Sequence, residues 1–352
     1  MAPRISGYLT TYNCIDAGQP FLAAIHSLLG LCSEVVVADG GSTDGTWEQL
    51  QALAARRRKL DVGRFPVHAS RAPWALSSDL RLKARAREAC VGDYCWHGEP
   101  TEIVVPTDWC KVDRSLERLS QRSPLLAIPV LEYWRGLRHV RRDEYPAAPK
   151  LSLNLPHISH GLPLGFREPD EYGVPHALPG AQLASSYVDL NTGEPVVCES
   201  LIPHSVESLR QNSRTIDAYE QAFFECLDDL PVVHDMTWVS IERQLHRLRS
   251  HWAEPRWMAL GRSDPIPAWP LFDKPWQRVT DSEIAARAHE LEDQGPGVLS
   301  GETELSGLME CRTWLPATTR REVCPAKPAT TTVHCVGFGP RDLLSLEAPA
   351  LA

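Results

Sequence analysis

Several features are missing from this chain, and each absence removes a class of protein. Ten cysteines are spread over 352 residues, but no two stand in a CxxC pair. A zinc ribbon or a thioredoxin-like redox centre is therefore unsupported, and the thiols read as mostly reduced, packed core residues. No stretch approaches the roughly eighteen uninterrupted apolar residues of a spanning helix. The opening MAPRISGYLTTYN holds no long apolar run ahead of its first strand. The expectation is a chain without a secretory leader, cytoplasmic or at the inner face of the membrane, with at most peripheral membrane contact. Positive charge is not in excess. A formal net charge of -9 argues against nucleic acid as a main partner. Both familiar phosphate cradles, GxxxxGK[ST] and GxGxxG, are absent as well, which removes the P-loop and dinucleotide folds. No internal repeat points to a solenoid.

What is present begins with EVVVADGGSTDGT, residues 34 to 46. Three valines and an alanine in a row read as a strand buried on both faces, and the polar, glycine-rich run after Asp39 must end it. Residues 4 to 11 read as an earlier strand, and residues 21 to 32 as a helix that Gly30 weakens near its end. Strand, helix and strand in so short a span make a βαβ unit with a parallel sheet. A second helix is expected over 46 to 60, its last turns carrying Arg56 to Lys59 in accord with the helix dipole. A third strand is expected at 65 to 69 and a third helix at 80 to 90.

Further on, GDYCWHGEPTEIVV reads as a strand running into a polar turn, and residues 128 to 145 alternate as strands of a mixed sheet. Residues 149 to 185 are rich in Pro, Gly and His and read as ordered loops. Amphipathic helices are expected over 215 to 230, 239 to 257 and 281 to 293. Composition changes after Asp293. The chain is therefore divided into one domain, 1 to 293, and a linker with a poorly ordered tail, 294 to 352.

Asp39 sits at the carboxyl end of a parallel strand, where α/β sheets bind ligands. A fixed carboxylate there can accept hydrogen bonds from a base imide or ribose hydroxyls, while Gly40 and Gly41 let backbone approach. Thr10, Thr11, Tyr12 and Asn13 end the neighbouring strand and offer a second wall, with Tyr12 able to pack on a flat ring. The plainer reading is a polar turn that places Ser42 or Thr43 near a helix N-cap.

The Tyr-Asn pair of LTTYN, the run VVVADGGSTDGT and the later KARAREACVGDYCW together resemble the family 2 glycosyltransferases, most strongly over residues 4 to 110. LPHISHGLP, LPVVHDMTWVSIERQ and LFDKPW resemble a bacterial subgroup up to about residue 290. The resemblance implies an α/β GT-A fold, a Rossmann-like, mostly parallel central sheet flanked by helices. Residues 1 to 125 would bind a nucleotide-diphosphate sugar, often UDP-linked, and residues 126 to 293 would hold a glycan or lipid-linked acceptor. It also implies nucleotide contacts from Thr11, Tyr12, Asn13, Asp39 and Gly41, with Lys83 or Arg87 approaching the base or diphosphate.

In that family an Asp-x-Asp turn holds a divalent ion, Mn or Mg, against the leaving diphosphate. Here the turn reads His97-Gly98-Glu99-Pro100-Thr101-Glu102. Glu99 aligns with the first aspartate, Thr101 replaces the second, and Glu102 matches an adjacent acidic residue. Thr101 is a poor ligand for such an ion, so binding at Glu99 and Glu102, completed by His234, is expected to be weakened. His234 reads equally as a buried histidine bonded to backbone. Inverting transfer also needs a base for the acceptor hydroxyl. The preferred carboxylates are Asp170 and Glu171, with Asp143 and Glu144 as the other pair. Two functional readings stand side by side. One is an inverting transferase acting on a glycan or envelope-precursor hydroxyl; the other is a catalytically weakened or inactive module that keeps nucleotide or glycan binding.

Overall fold

The computed structural model describes residues 3–66, 76–137, 139–141, 147–161, 187–210, 216–248, 279–294 and 308–310. The amino-terminal half is a run of parallel units. Strand β1 (Ile5–Thr11) is followed by helix α1 (Phe21–Leu31), β2 (Glu34–Asp39), α2 (Thr46–Ala54), β3 (Leu60–Arg64), α3 (Leu76–Glu88) and β4 (Tyr94–His97). Strands β1 and β2, β2 and β3, and β1 and β4 all pair in parallel. All seven residues of β1 are buried, which identifies it as the central strand. Its two faces divide cleanly, as a period of two requires. Ile5 and Leu9 pack with Phe21, Ile25 and Leu28 of α1. Tyr8 packs with Leu82 and Ala86 of α3 on the other side.

The second half mixes directions. After the short β5 (Glu102–Ile103) and α4 (Trp109–Ser115) come β6 (Leu125–Trp134), β7 (His139–Arg141), β8 (Ala147–Leu153), β9 (Ile158–His160), β10 (Tyr187–Asp189) and β11 (Cys198–Ser200). Helices α5 (His204–Arg210) and α6 (Ile216–Leu227), strand β12 (Val233–Trp238), helices α7 (Ile241–Leu248) and α8 (Asp281–Gln294), and strand β13 (Leu308–Glu310) complete the described chain. The sheet runs β13-β7-β6-β8-β4-β1-β2-β3. Antiparallel β8 is the hinge of this order, because it pairs with β4 on one side and β6 on the other. Strand β6 then pairs in parallel with β12, which carries β5 at its other edge.

Three sequence expectations shift. Helix α2 stops at Ala54 and the third strand begins at Leu60, ahead of the expected 65 to 69. Four successive cations make a poor continuation for a helix whose apolar stripe has ended, and the Leu60 side chain is instead buried in the sheet. Residues 149–153 and 158–160, within the span expected as loops, belong to strands that close the sheet over β4 and build a small two-stranded ribbon with β10. Beyond the expected boundary at 293, β13 pairs antiparallel with β7. Gly30 has a packing reason in α1. A methyl group there would stand 2.3 Å from the Trp109 ring of α4, so only glycine lets the two helices meet.

Among the described residues the seven cysteines are free thiols, four of them buried. No helix of the described residues is long and apolar enough to cross a membrane.

Candidate functional site

Thr11 of β1 and Asp39 of β2 are register partners, so the two strands stop side by side and their following loops are forced together. Asp39 is wholly buried. Its Oδ1 accepts the backbone N–H of Gly41 at 3.0 Å and of Ser42 at 2.9 Å. Its Oδ2 accepts the Thr11 hydroxyl at 3.0 Å and the Ser42 hydroxyl at 2.5 Å. A carboxylate offers about four acceptor positions, so these donors fill it, and in this arrangement Asp39 shapes the turn from beneath. Arg64, the register partner of Asp39 on β3, places its Nε 3.8 Å from Oδ1 and donates from Nη2 to the Ser42 carbonyl at 2.5 Å.

The two loops are tied together at the top. Asn13 adopts a positive φ of 45°, donates its N–H to the Ser42 hydroxyl at 2.9 Å, and accepts the Thr43 N–H on its side-chain oxygen at 2.8 Å. Gly41 and Gly45 both have φ of 96°, where a side chain would be strained. Gly45 takes the N-cap position of α2, and Asp44 before it braces the turn. Its Oδ1 accepts the Thr46 N–H at the start of α2 at 3.0 Å, while Oδ2 accepts the Asp16 N–H at 2.9 Å. Tyr12 and Asn13 remain half-buried at the rim.

Strand β4 lies on the other side of β1, and the turn after it carries the acidic residues. Lys83 of α3 donates to Glu99 Oε1 at 2.7 Å and pairs with Asp79 at 2.9 Å. Burial works against the charged Lys83 ammonium, but Glu99 and Asp79 outweigh it and hold its pKa above the ordinary value. Lys150 of β8 reaches both oxygens of Glu102, at 2.6 and 2.8 Å. Burial pushes the Glu102 carboxyl up to about 7 against the pull of Lys150, with Glu99 and Asp235 adding to the rise. Thr101 is buried and its hydroxyl oxygen lies 3.1 Å from that of Thr237 of β12. Asp235 is the register partner of Glu102 and accepts the Thr237 N–H and hydroxyl at 2.8 and 2.6 Å.

Not every residue singled out in the sequence arrives here. Arg87 is buried, and its guanidinium donates to the Ile158 and Leu153 carbonyls and the Ser152 hydroxyl at 2.8 to 2.9 Å, fastening α3 to β8 and β9. His234 is buried against Tyr133, with Nδ1 2.9 Å from the phenol oxygen and the rings stacked. Burial, aided by Lys111, pushes its pKa down to about 4. His160 places Nε2 2.6 Å from the Tyr8 hydroxyl, which also contacts the Tyr187 hydroxyl at 2.8 Å. Asp170, Glu171, Asp143 and Glu144 lie outside the described residues.

A divalent ion at this turn would need Glu99, Glu102 and a third ligand together. Among the described residues no group of three or more His, Cys, Asp or Glu is placed to hold one. Both glutamates are already ion-paired to lysines. The residues present thus do not fit a metal centre as they stand. Reasoning from sequence missed Arg64, Lys150 and Asp235. Lys150 left one signal: in AAPKLSL it is a charge in a strand with leucines after it, and such a charge, once buried, must find a counter-ion.

The strand order, the parallel first half and the polar turns at the carboxyl ends of β2, β1 and β4 define an α/β fold of the GT-A, Rossmann-like class. No protein-family model matches the chain, and no curated protein matches it. Solved structures do. Staphylococcal (S. aureus) TarS in complex with UDP-GlcNAc is 13% identical, covering 64% of this chain and 72% of that one at a TM-score of 0.31. Mannosyltransferase PcManGT from Pyrobaculum calidifontis, with GDP-Man and Mn2+, is 12% identical over 86% of this chain and 79% of its own, at 0.32. Glucosyl-3-phosphoglycerate synthase from Mycobacterium tuberculosis, with Mn2+ and UDP-glucose, is 20% identical over 36% and 44%, at 0.27. The fold class rests on this chain's own topology and not on these likenesses.

Proposed function

We propose that this chain is an inverting glycosyltransferase that moves a sugar from a nucleotide-diphosphate donor, UDP-linked by preference, to a hydroxyl of a glycan or envelope precursor. The observation that carries the reading is the double loop bound to Asp39. It spends a buried carboxylate, three hydroxyls and two left-handed glycines on holding Tyr12, Asn13 and the Gly40 to Gly45 backbone in one shape at the strand ends. Next to it stands the turn with Glu99 and Lys83, at the separation of one strand. The base of the donor nucleotide would pack at Tyr12, the ribose would meet the backbone of the double loop, and the diphosphate would reach toward Lys83.

In the transfer, the acceptor oxygen forms a new bond to the sugar's anomeric carbon. The bond from that carbon to the diphosphate breaks with its electron pair on the leaving oxygen, and the acceptor's proton passes to a carboxylate. Sequence assigns that base to Asp170 or Glu171. The sequence resemblance implies Mn or Mg at Glu99 and Glu102, which would require Lys83 and Lys150 to leave them. The acceptor is placed with the second half of the sheet, as a glycan or lipid-linked hydroxyl met in the cytoplasm or at the inner face of a membrane.

The second reading, a binding module without turnover, is favoured by one observation: Thr101 stands where the family has a carboxylate, and its hydroxyl is spent on Thr237. Calorimetric titration of UDP against the wild type and Tyr12→Ala decides the donor site, followed by a screen of UDP-sugars for hydrolysis or transfer. Binding weakened about tenfold by Tyr12→Ala, with turnover, is the expected result. Binding without turnover of any sugar leaves the module reading. The donor site is refuted if UDP, GDP and TDP all fail to bind.

A further inference from the structure

We infer that Lys83 and Lys150 supply the two positive charges that a divalent cation would bring to this turn, so that a nucleotide's diphosphate is held by the protein's own ammonium groups. The inference rests on the donor-site reading above and extends it to how the charge is met. Two carboxylates with one divalent ion carry no net charge. Ionised Glu99 and Glu102 with Lys83 and Lys150 also sum to none, with Asp79 a further carboxylate on Lys83, and each ammonium stands within 2.7 Å of its glutamate. A metal would share the same oxygens at about 2.0–2.1 Å for Mg, which excludes an ammonium from those positions.

Displacing the lysines is costly. The Lys150 side chain is 4% exposed, and Glu102 takes two of its three N–H donors. Leaving Glu102 would strand an ammonium among strands β8, β4 and β6, at the penalty that attends an unpaired buried charge. The third carboxylate that would favour an ion is missing, because Thr101 occupies that place and its hydroxyl is turned to Thr237. Asp235 lies across from Glu102 but is engaged by the N–H and hydroxyl of Thr237.

The two lysines divide the work. Lys83 is 12% exposed, and Asp79 and Glu99 take two of its three donors, leaving one for a diphosphate oxygen. It is the contact residue. Lys150 is the positioning residue, neutralising Glu102 from below so that no uncompensated carboxylate faces an incoming anion.

The test measures manganese alone and nucleotide alone. Mn2+ binding is followed by electron paramagnetic resonance on wild type, Lys83→Met and Lys83→Arg, and UDP binding by calorimetry on the same proteins in EDTA and in Mn2+. Wild type is expected to take up no Mn2+ at micromolar concentrations and to bind UDP equally well, within about twofold, in both buffers. Lys83→Met should lose UDP affinity at least tenfold in EDTA, while Lys83→Arg retains it. Lys83 is partly exposed, so these variants report on the site even if Lys150→Met does not fold. Micromolar Mn2+ uptake by wild type that Glu99→Gln abolishes, or UDP binding that requires Mn2+, overturns the inference. If UDP binds in neither buffer, the donor-site reading fails separately, and the Mn2+ arm still decides whether the lysines hold the turn against a cation.

Discussion

The turn after β2 and the turn after β4 lie at the same end of one sheet, on either side of β1, yet their carboxylates are satisfied in opposite ways. The four hydrogen bonds to Asp39 come from neutral donors, with Arg64 an outer cation at 3.8 Å, and three of the four come from residues two or three positions along the chain. Glu99 and Glu102 are held by cations that arrive from α3 and β8, 16 and 48 residues away. A carboxylate saturated by backbone N–H and hydroxyl groups fixes a shape, whereas one neutralised by a lysine fixes a charge balance. The first turn is built to present backbone and a ring. The second is built to manage charge.

The sharpest way to break this contrast is to remove Lys150. Lys150→Met leaves Glu102 buried without its ammonium and should cost roughly 3–5 kcal/mol in chemical denaturation. Adding Glu102→Gln should restore most of that loss, because the stranded charge is then gone. Asp39→Ala comes next. It orphans buried donors at Gly41, Ser42 and Thr11, with an expected loss of about 3 kcal/mol and faster proteolysis in residues 40 to 45. No second substitution among its partners should rescue it, since the backbone donors cannot be mutated away.

Acid probes the sheet behind the second turn. His234 has a pKa pushed down to about 4 by burial, so the unfolded chain binds its proton more readily. Its contribution is complete above about 6.5, the ordinary histidine value, and is lost as pH falls from there to about 4. The loss should approach about 3 kcal/mol for a shift of this size, and His234→Phe should flatten the pH profile in that window. The smallest effect is expected for Glu99→Gln. Glu99 is 31% exposed, and losing a partly solvated pair should cost under about 1 kcal/mol while altering UDP binding far more than stability.

Much of the first half could be read directly. The valine run of β2, the apolar spacing of α1 and the glycine-rich stop after Asp39 are local signals, and the parallel βαβ arrangement followed from them. The second half was harder, because its strands declare themselves only in pairing. Residues 149–153 read as loop because they open a stretch rich in Pro, Gly and His, but they fill the gap between β4 and β6 within an antiparallel strand of the sheet. Asp39, Tyr12 and Asn13 were found by position at strand ends. Arg64 was missed because the third strand was placed too late along the chain, which concealed that its end stands beside Asp39.

The sequence by itself determined where polar turns must interrupt buried strands, since hydrophobic runs and left-handed glycines act within a few residues. It also determined that the acidic turn carries Thr101 between Glu99 and Glu102. Only the tertiary structure decided what those carboxylates face. Asp39 is enclosed by its own loop, His234 is turned to Tyr133, and Glu99 and Glu102 each receive a lysine from a distant element. A charge in a sequence has a sign but no partner. Burial makes the partner obligatory, and the fold chooses which one comes within reach.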